Sequence, residues 1–153
     1  MEGPATVEVR LLLRWFKEGP PGALPVEQDG RSLGCLQAVT WEDAGDPDSL
    51  GRLARWHGPG PATPSAARRW LVEQVLRPAD RVLFWVKDVR GGFAGRAGLG
   101  RLDFAARTAA VCDVASAGPG ADGLVRAAAL ALAGWARTTL GLDVGDGAQA
   151  RAA

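Results

Sequence analysis

The sequence predicts an α/β fold: a mixed, mainly antiparallel central sheet flanked by helices, with a β-hairpin extension at the N-terminal end. Three observations predict it. Residues 81–89, 93–103 and 108–114 are patterned as strands and separated by turns, Arg90-Gly91-Gly92 and Phe104 to Arg107. Upstream, Asp46-Pro47 and Thr63-Pro64 each place a capping side chain before a proline at a first helical position. Downstream, Leu124, Ala128, Ala131 and Trp135 recur at helical spacing, with Leu132 and Ala136 beside them.

In order along the chain, Val7 to Phe16 is apolar and β-branched enough for a strand, closed by Gly19-Pro20-Pro21-Gly22. Leu24 to Val39 reads as a hairpin around Asp29-Gly30, a pair that tolerates the positive φ of a tight turn. Leu50, Leu53, Ala54 and His57 share one face of the first helix, which Gly58-Pro59-Gly60-Pro61 ends. Ala67, Leu71, Val72, Val75 and Leu76 share one face of the second, with Arg68, Arg69 and Glu73 outside it, and Pro78 stops it. In the meander, Val82, Phe84 and Val86 alternate with Leu83, Trp85 and Lys87. Gly95, Gly98 and Gly100 interrupt the middle strand. Residues 115–123 form a loop of small residues in which Asp122 is placed to cap the final helix, and Gly141 to end it. One compact domain is expected, residues 1–34 as an extension and 35–153 as the domain proper.

Composition narrows the function. The chain has 153 residues, 47% hydrophobic and 23% charged, with a net charge of +1 and no basic stripe, so neither nucleic acid nor a membrane surface is implied. The longest apolar run, Ala127 to Ala136, is too short to cross a bilayer. The opening Met-Glu-Gly-Pro lacks the pattern of a signal peptide, and Cys35 and Cys112 read as reduced thiols, so a cytoplasmic location is expected. A single histidine and no paired cysteines argue against a zinc site, and no tyrosine is present to act as an acid. Sixteen arginines against two lysines, with much Ala and Gly, match a high-GC bacterial coding bias.

The segment from Val111 to Val125 carries the chemistry: a strand runs into a glycine-rich loop that opens a helix. Glycines let a ligand approach the backbone, and the first helical N–H groups have no internal partners, so the site suits a pyrophosphate. The loop lacks the Lys-Ser/Thr ending of a P-loop, and the antiparallel meander before it does not fit a βαβ dinucleotide unit.

The element order resembles the GNAT superfamily of N-acyltransferases. Leu53 to Trp56, Ala67 to Val75, Arg81 to Trp85, Gly98 to Asp103, Gly123 to Ala136 and Leu140-Gly141-Leu142 are similar to the branch that acetylates amino sugars and related amines. The resemblance implies acetyl-CoA or another short acyl-CoA as co-substrate and a small-molecule amine as acceptor. It also implies a site. Val114 and Ala115 would face the pantetheine, and Gly118, Gly120, Ala121, Gly123 and Leu124 would cradle the phosphates. Against that family this chain is shortened at its C-terminal end, and Ala115 or Ser116 stands where Arg or Gln is common. Asp122 sets a negative charge near the phosphate position, which Arg126 partly offsets.

Acyl transfer to an amine needs a base and a polarised thioester carbonyl. Asp113, on the strand nearest the thioester, is the first candidate base; its other reading is a solvated residue on a polar strand face. His57 is the second; its other reading is a packed or capping histidine. Cys112, with no basic neighbour in sequence, reads as a small core residue, and the six tryptophans as core and pocket walls. Two functions follow: an active N-acyltransferase, or a catalytically degenerate binding or partner subunit of the same fold. A nucleotide-phosphate binder is a weaker third. The sheet edge near 143–146 is expected to be covered by a homodimer or a partner protein.

Overall fold

The computed structural model describes residues 6–18, 22–56 and 63–144. Its first element corrects the expected strand from Val7 to Phe16: these residues lie in helix α1, Thr6–Glu18. Val9, Leu13 and Phe16 are buried at helical spacing. Leu11 and Trp15, which a strand would bury beside Val9 and Leu13, are 60% and 52% exposed. Arg14 pairs with Glu18 one turn on, at 2.6 Å. The apolar content suits either element; the 3.6-residue period of burial decides for the helix.

Strands β1 (Ala23–Gln28) and β2 (Arg31–Ala38) form the expected hairpin, with Asp29 and Gly30 both at positive φ, 53° and 78°. Helices α2 (Pro47–Arg55) and α3 (Pro64–Trp70) begin where the capping signals set them. The Asp46 carboxylate accepts from the Asp48 N–H and the Thr63 hydroxyl oxygen from the Ala66 N–H, each at 3.2 Å. α3 then continues as a wider i→i+5 helix over Leu71–Leu76. Strands β3 (Val82–Asp88), β4 (Phe93–Asp103) and β5 (Thr108–Ser116) make the meander, followed by α4 (Asp122–Thr138) and β6 (Asp143–Val144). Gly141, at φ 68°, ends α4 as expected.

The six strands form one sheet in the order β1-β2-β3-β4-β5-β6, antiparallel throughout except that β6 runs parallel to β5. This is the mixed, mainly antiparallel α/β arrangement that the sequence predicts. The alternation in β3 separates two cores. Val82, Phe84 and Val86 pack with α1 and α4 on one face, where Phe16 meets Phe84 and Trp135 edge-on. Leu83 and Trp85 pack with α2, α3 and its extension on the other.

Lys17 ties α1 to the second layer. It is 4% exposed, and its Nζ donates to the Pro78 carbonyl at 2.6 Å and the Leu76 carbonyl at 3.5 Å, at the end of the α3 extension. Burial pushes its pKa down to about 8, against a smaller opposite effect of Asp80.

Candidate active site

β5 is where the sheet opens. Its pairing with β6 covers only Thr108 and Ala109. From Ala110 to Ser116 its outer edge has no strand partner among the described residues, so the backbone groups there are available to an extended ligand. The inner edge is irregular at the same place. Arg96 pairs with Ala115 and Gly98 with Cys112, so Asp113 and Val114 together oppose Ala97. This is a β-bulge, and Asp113 holds it at φ 56°. Asp tolerates the left-handed region better than most residues. The bulge swings the end of β5 and re-aims its side chains.

β5 leads into the loop. The Ala117 N–H donates to the Ala94 carbonyl (2.8 Å), the Ser116 hydroxyl donates to the Gly118 carbonyl (2.6 Å), and the Ala121 N–H closes a tight turn on Gly118 (3.0 Å). A Cβ added at Gly118, Gly120 or Gly123 would meet no protein atom, so these glycines leave space outside the loop. Asp122 does not cap α4, contrary to expectation. It is the first helical residue and exposed, Ala121 occupies the cap position, and no side chain bonds the helix end. The Gly123 and Leu124 N–H groups therefore face outward with the positive end of the helix dipole.

The sheet face toward α3 carries an ionic cluster beside the bulge. Arg81 is ion-paired with Oδ2 of Asp113, to which the Cys112 thiol also donates at 3.4 Å. Arg96 lies over the Trp70 ring, 4.8 Å from its centre, and Arg81 lies 5.9 Å from it. Burial lowers the Arg96 pKa, opposed by Asp113. Burial pushes the Cys112 thiol up to about 12, with Asp113 adding to the effect. Cys112 is therefore a protonated thiol at neutral pH and no nucleophile.

Among the described residues no three His, Cys, Asp or Glu side chains come together as a metal site. The structure brings Asp113, Val114 and Ala115 together at the bulge, with Gly118, Gly120, Ala121, Gly123 and Leu124 following at the loop and helix start. His57 lies outside the described residues. Asp113 is neither a free base nor a solvated residue: it is half-buried and ion-paired. Cys112 does have basic neighbours, Arg81 and Arg96, though they are distant in sequence. Trp15 and Trp41 are exposed and line no core. Sequence reasoning missed Arg81 and Arg96, and it placed Trp70 among the six core and pocket tryptophans without joining it to either. The signal for Arg96 was an arginine among small apolar residues, Ala94-Gly95-Arg96-Ala97-Gly98, in a central strand.

No protein-family model and no curated protein matches the chain. Solved structures do. A GCN5-related N-acetyltransferase from Brucella melitensis aligns over 80% of this chain at 21% identity, with a TM-score of 0.52. A ribosomal L7/L12 α-N-protein acetyltransferase, RimL, aligns over 76% at 13% identity and TM-score 0.51. A variant of the spermidine N-acetyltransferase SpeG from Vibrio cholerae aligns over 70% at 15% identity and TM-score 0.50. The chain has the GNAT fold. It spans 58%, 66% and 64% of those three chains respectively. No described helix is long and apolar enough to cross a membrane.

Proposed function

We propose that the chain is an acyl-CoA-dependent N-acyltransferase, a cytoplasmic enzyme that moves acetyl or a short acyl group to the amine of a small molecule. One observation carries the reading: the outer edge of β5 from Ala110 to Ser116, unpaired among the described residues, leads through the short loop of residues 117–121 to the N-terminus of α4, which no side chain caps. An extended pantetheine adds to such an edge as a further strand. Val114 and Ala115 hold it, and the N–H groups of Gly120, Gly123 and Leu124 take the pyrophosphate beside Gly118 and Ala121, whose own N–H groups are bonded to the Ser116 hydroxyl and the Gly118 carbonyl. The acceptor class, an amino sugar or a natural-product amine, rests on the sequence resemblance.

The reaction needs few groups. The neutral amine attacks the thioester carbon, and the carbonyl electron pair moves to oxygen. A backbone N–H at the bulge stabilises that oxyanion. The intermediate collapses with loss of the CoA thiolate; the proton leaving the nitrogen passes to a base, and the thiolate takes one up. Oδ2 of Asp113 is engaged by Arg81 and Cys112, so Oδ1 is the oxygen that receives the proton, through an ordered water. His57 is the second candidate for that role. The pairing of Asp113 with Arg81 also favours one alternative, a GNAT-fold subunit that binds acyl-CoA without turnover.

Thiol release from acetyl-CoA, followed with a panel of amino sugars and small amines, tests the proposal. Amine-dependent release is expected. Acyl-CoA binding without release on any amine selects the degenerate subunit, and neither binding nor release ends both readings.

A further inference from the structure

The sheet face beside the β5 bulge holds one more positive charge than its side chains neutralise. Arg96 is 6% exposed, and its buried Nε and Nη1 have no hydrogen-bond partner. The nearest carboxylate, Asp113, is bonded to Arg81 instead. Cys112 stays protonated at neutral pH and supplies no anion. The Trp70 ring attracts the Arg96 cation across its face but accepts none of these N–H bonds in its plane. Two guanidinium groups thus share one carboxylate in a water-poor place. Buried polar groups almost always have partners, and one left without calls for an explanation, of which a bound anion is one.

The surroundings fit an anion. Arg52 lies 3.5 Å from the centre of the Phe93 ring and Lys87 4.9 Å from it, at the rim of the same face. Three acids act on Arg52: half-buried Asp43 is committed to the Thr40 N–H, the Ser49 hydroxyl and the Trp85 indole, Asp46 to the Asp48 N–H and the Ser49 hydroxyl, and Asp48 is exposed. A polycationic acceptor would meet repulsion here. In register, Arg96 lies opposite Ala115, one residue from the bulge where the thioester is placed above.

Resting on the acyltransferase reading, we propose that Arg96 binds a carboxylate on the acceptor. The substrate is then an amine that carries a carboxylate, as an amino acid does, and the guanidinium fixes one end of it while its nitrogen meets the thioester. A planar guanidinium suits a carboxylate, and the pair gains strength where water is excluded.

The test uses the full chain and ligands matched except for charge: N-acetyl amino acids with small, aliphatic and aromatic side chains, each against its amide. Binding is read by thermal shift and calorimetry for the natural chain, Arg96→Met and Arg96→Lys, with acetyl-CoA titrated separately into each. At least one carboxylate should raise the melting temperature where its amide does not. Arg96→Met should weaken that binding by roughly tenfold to a hundredfold, and Arg96→Lys should restore part of it. Arg96→Met itself should be no less stable than the natural chain, because it removes an unpaired buried charge. If it fails to fold, the carboxylate–amide pairs and Arg96→Lys still decide. No carboxylate preference, or one that survives Arg96→Met, overturns the proposal. Acetyl-CoA binding alongside a flat carboxylate panel overturns it and leaves the acyltransferase reading standing. A carboxylate response without acetyl-CoA binding upholds the anion site and removes that reading.

Discussion

Lys17 should make the protein more stable in alkali, against the usual trend. Its pKa falls from 10.5 in the unfolded chain to about 8 in the fold, where burial outweighs the opposing charge of Asp80. Between those values the unfolded chain binds the proton and the folded chain does not, so stability rises with pH from about 8 to 10.5. At 1.36 kcal/mol per pKa unit the whole rise is roughly 3 kcal/mol. Cys112 acts in the opposite sense. Its thiol moves from 9.0 to about 12, so its contribution is lost as pH rises through that window. Comparison with Lys17→Met removes this effect, because Cys112 is common to both proteins. Urea unfolding at pH steps from 7 to 11 gives the difference between the two curves. The natural chain should gain roughly 3 kcal/mol relative to Lys17→Met across the window. A difference that stays flat with pH would show that Lys17 is not buried at the end of the α3 extension.

Three further outcomes are expected. A Cβ at Gly95 falls 2.2 Å from the Ala115 carbonyl oxygen and 2.7 Å from Val125. Gly95→Ala should therefore displace β5 and cost roughly 2–3 kcal/mol, about 5–10 °C in a thermal melt, with weaker acyl-CoA binding; an unchanged melt contradicts the packing. Asp113→Asn strips Arg81 of its partner and should cost about 1–3 kcal/mol in denaturant unfolding. If Asp113 is the base, the acidic limb of the pH–rate profile also disappears, whereas an intact profile moves the role to His57. At the β6 edge, Arg137 holds the Val144 carbonyl at 2.7 Å and 3.3 Å. We expect that edge to be covered in a homodimer or by a partner, so sedimentation at micromolar concentration should show a dimer; a stable, soluble monomer refutes the dimer.

Much of the fold was legible because local chemistry settles local structure. Asp46-Pro47, Thr63-Pro64 and Asp29-Gly30 each name a cap or a turn whose backbone only a few residues can adopt, and all three lie where they were read. α1 was misread because Val7, Val9 and Leu11 to Leu13 are apolar enough for either period, and only the exposure of Leu11 and Trp15 separates them. Asp122 was misread because a carboxylate can sit at the cap or one position inside it, and both suit the helix dipole. The candidate site was half legible. The loop from Ser116 to Gly123 announces itself by its glycines, but the cluster of Trp70, Arg81, Arg96 and Asp113 is assembled from α3, β4, β5 and the residue before β3. No spacing in the sequence joins those four. In a chain with sixteen arginines, the small apolar residues around Arg96 mark it as buried, but nothing local marks its donors as unpaired.

The claim on which the rest depends is that the open edge of β5 and the bare N-terminus of α4 take an acyl-CoA. Calorimetric titration of the full chain with CoA, acetyl-CoA and pantetheine tests it most directly. The account predicts saturable one-to-one binding of CoA and acetyl-CoA, and far weaker binding of pantetheine, which lacks the pyrophosphate that the loop amides hold. No heat and no thermal shift at millimolar CoA, or equal binding of pantetheine, would contradict it.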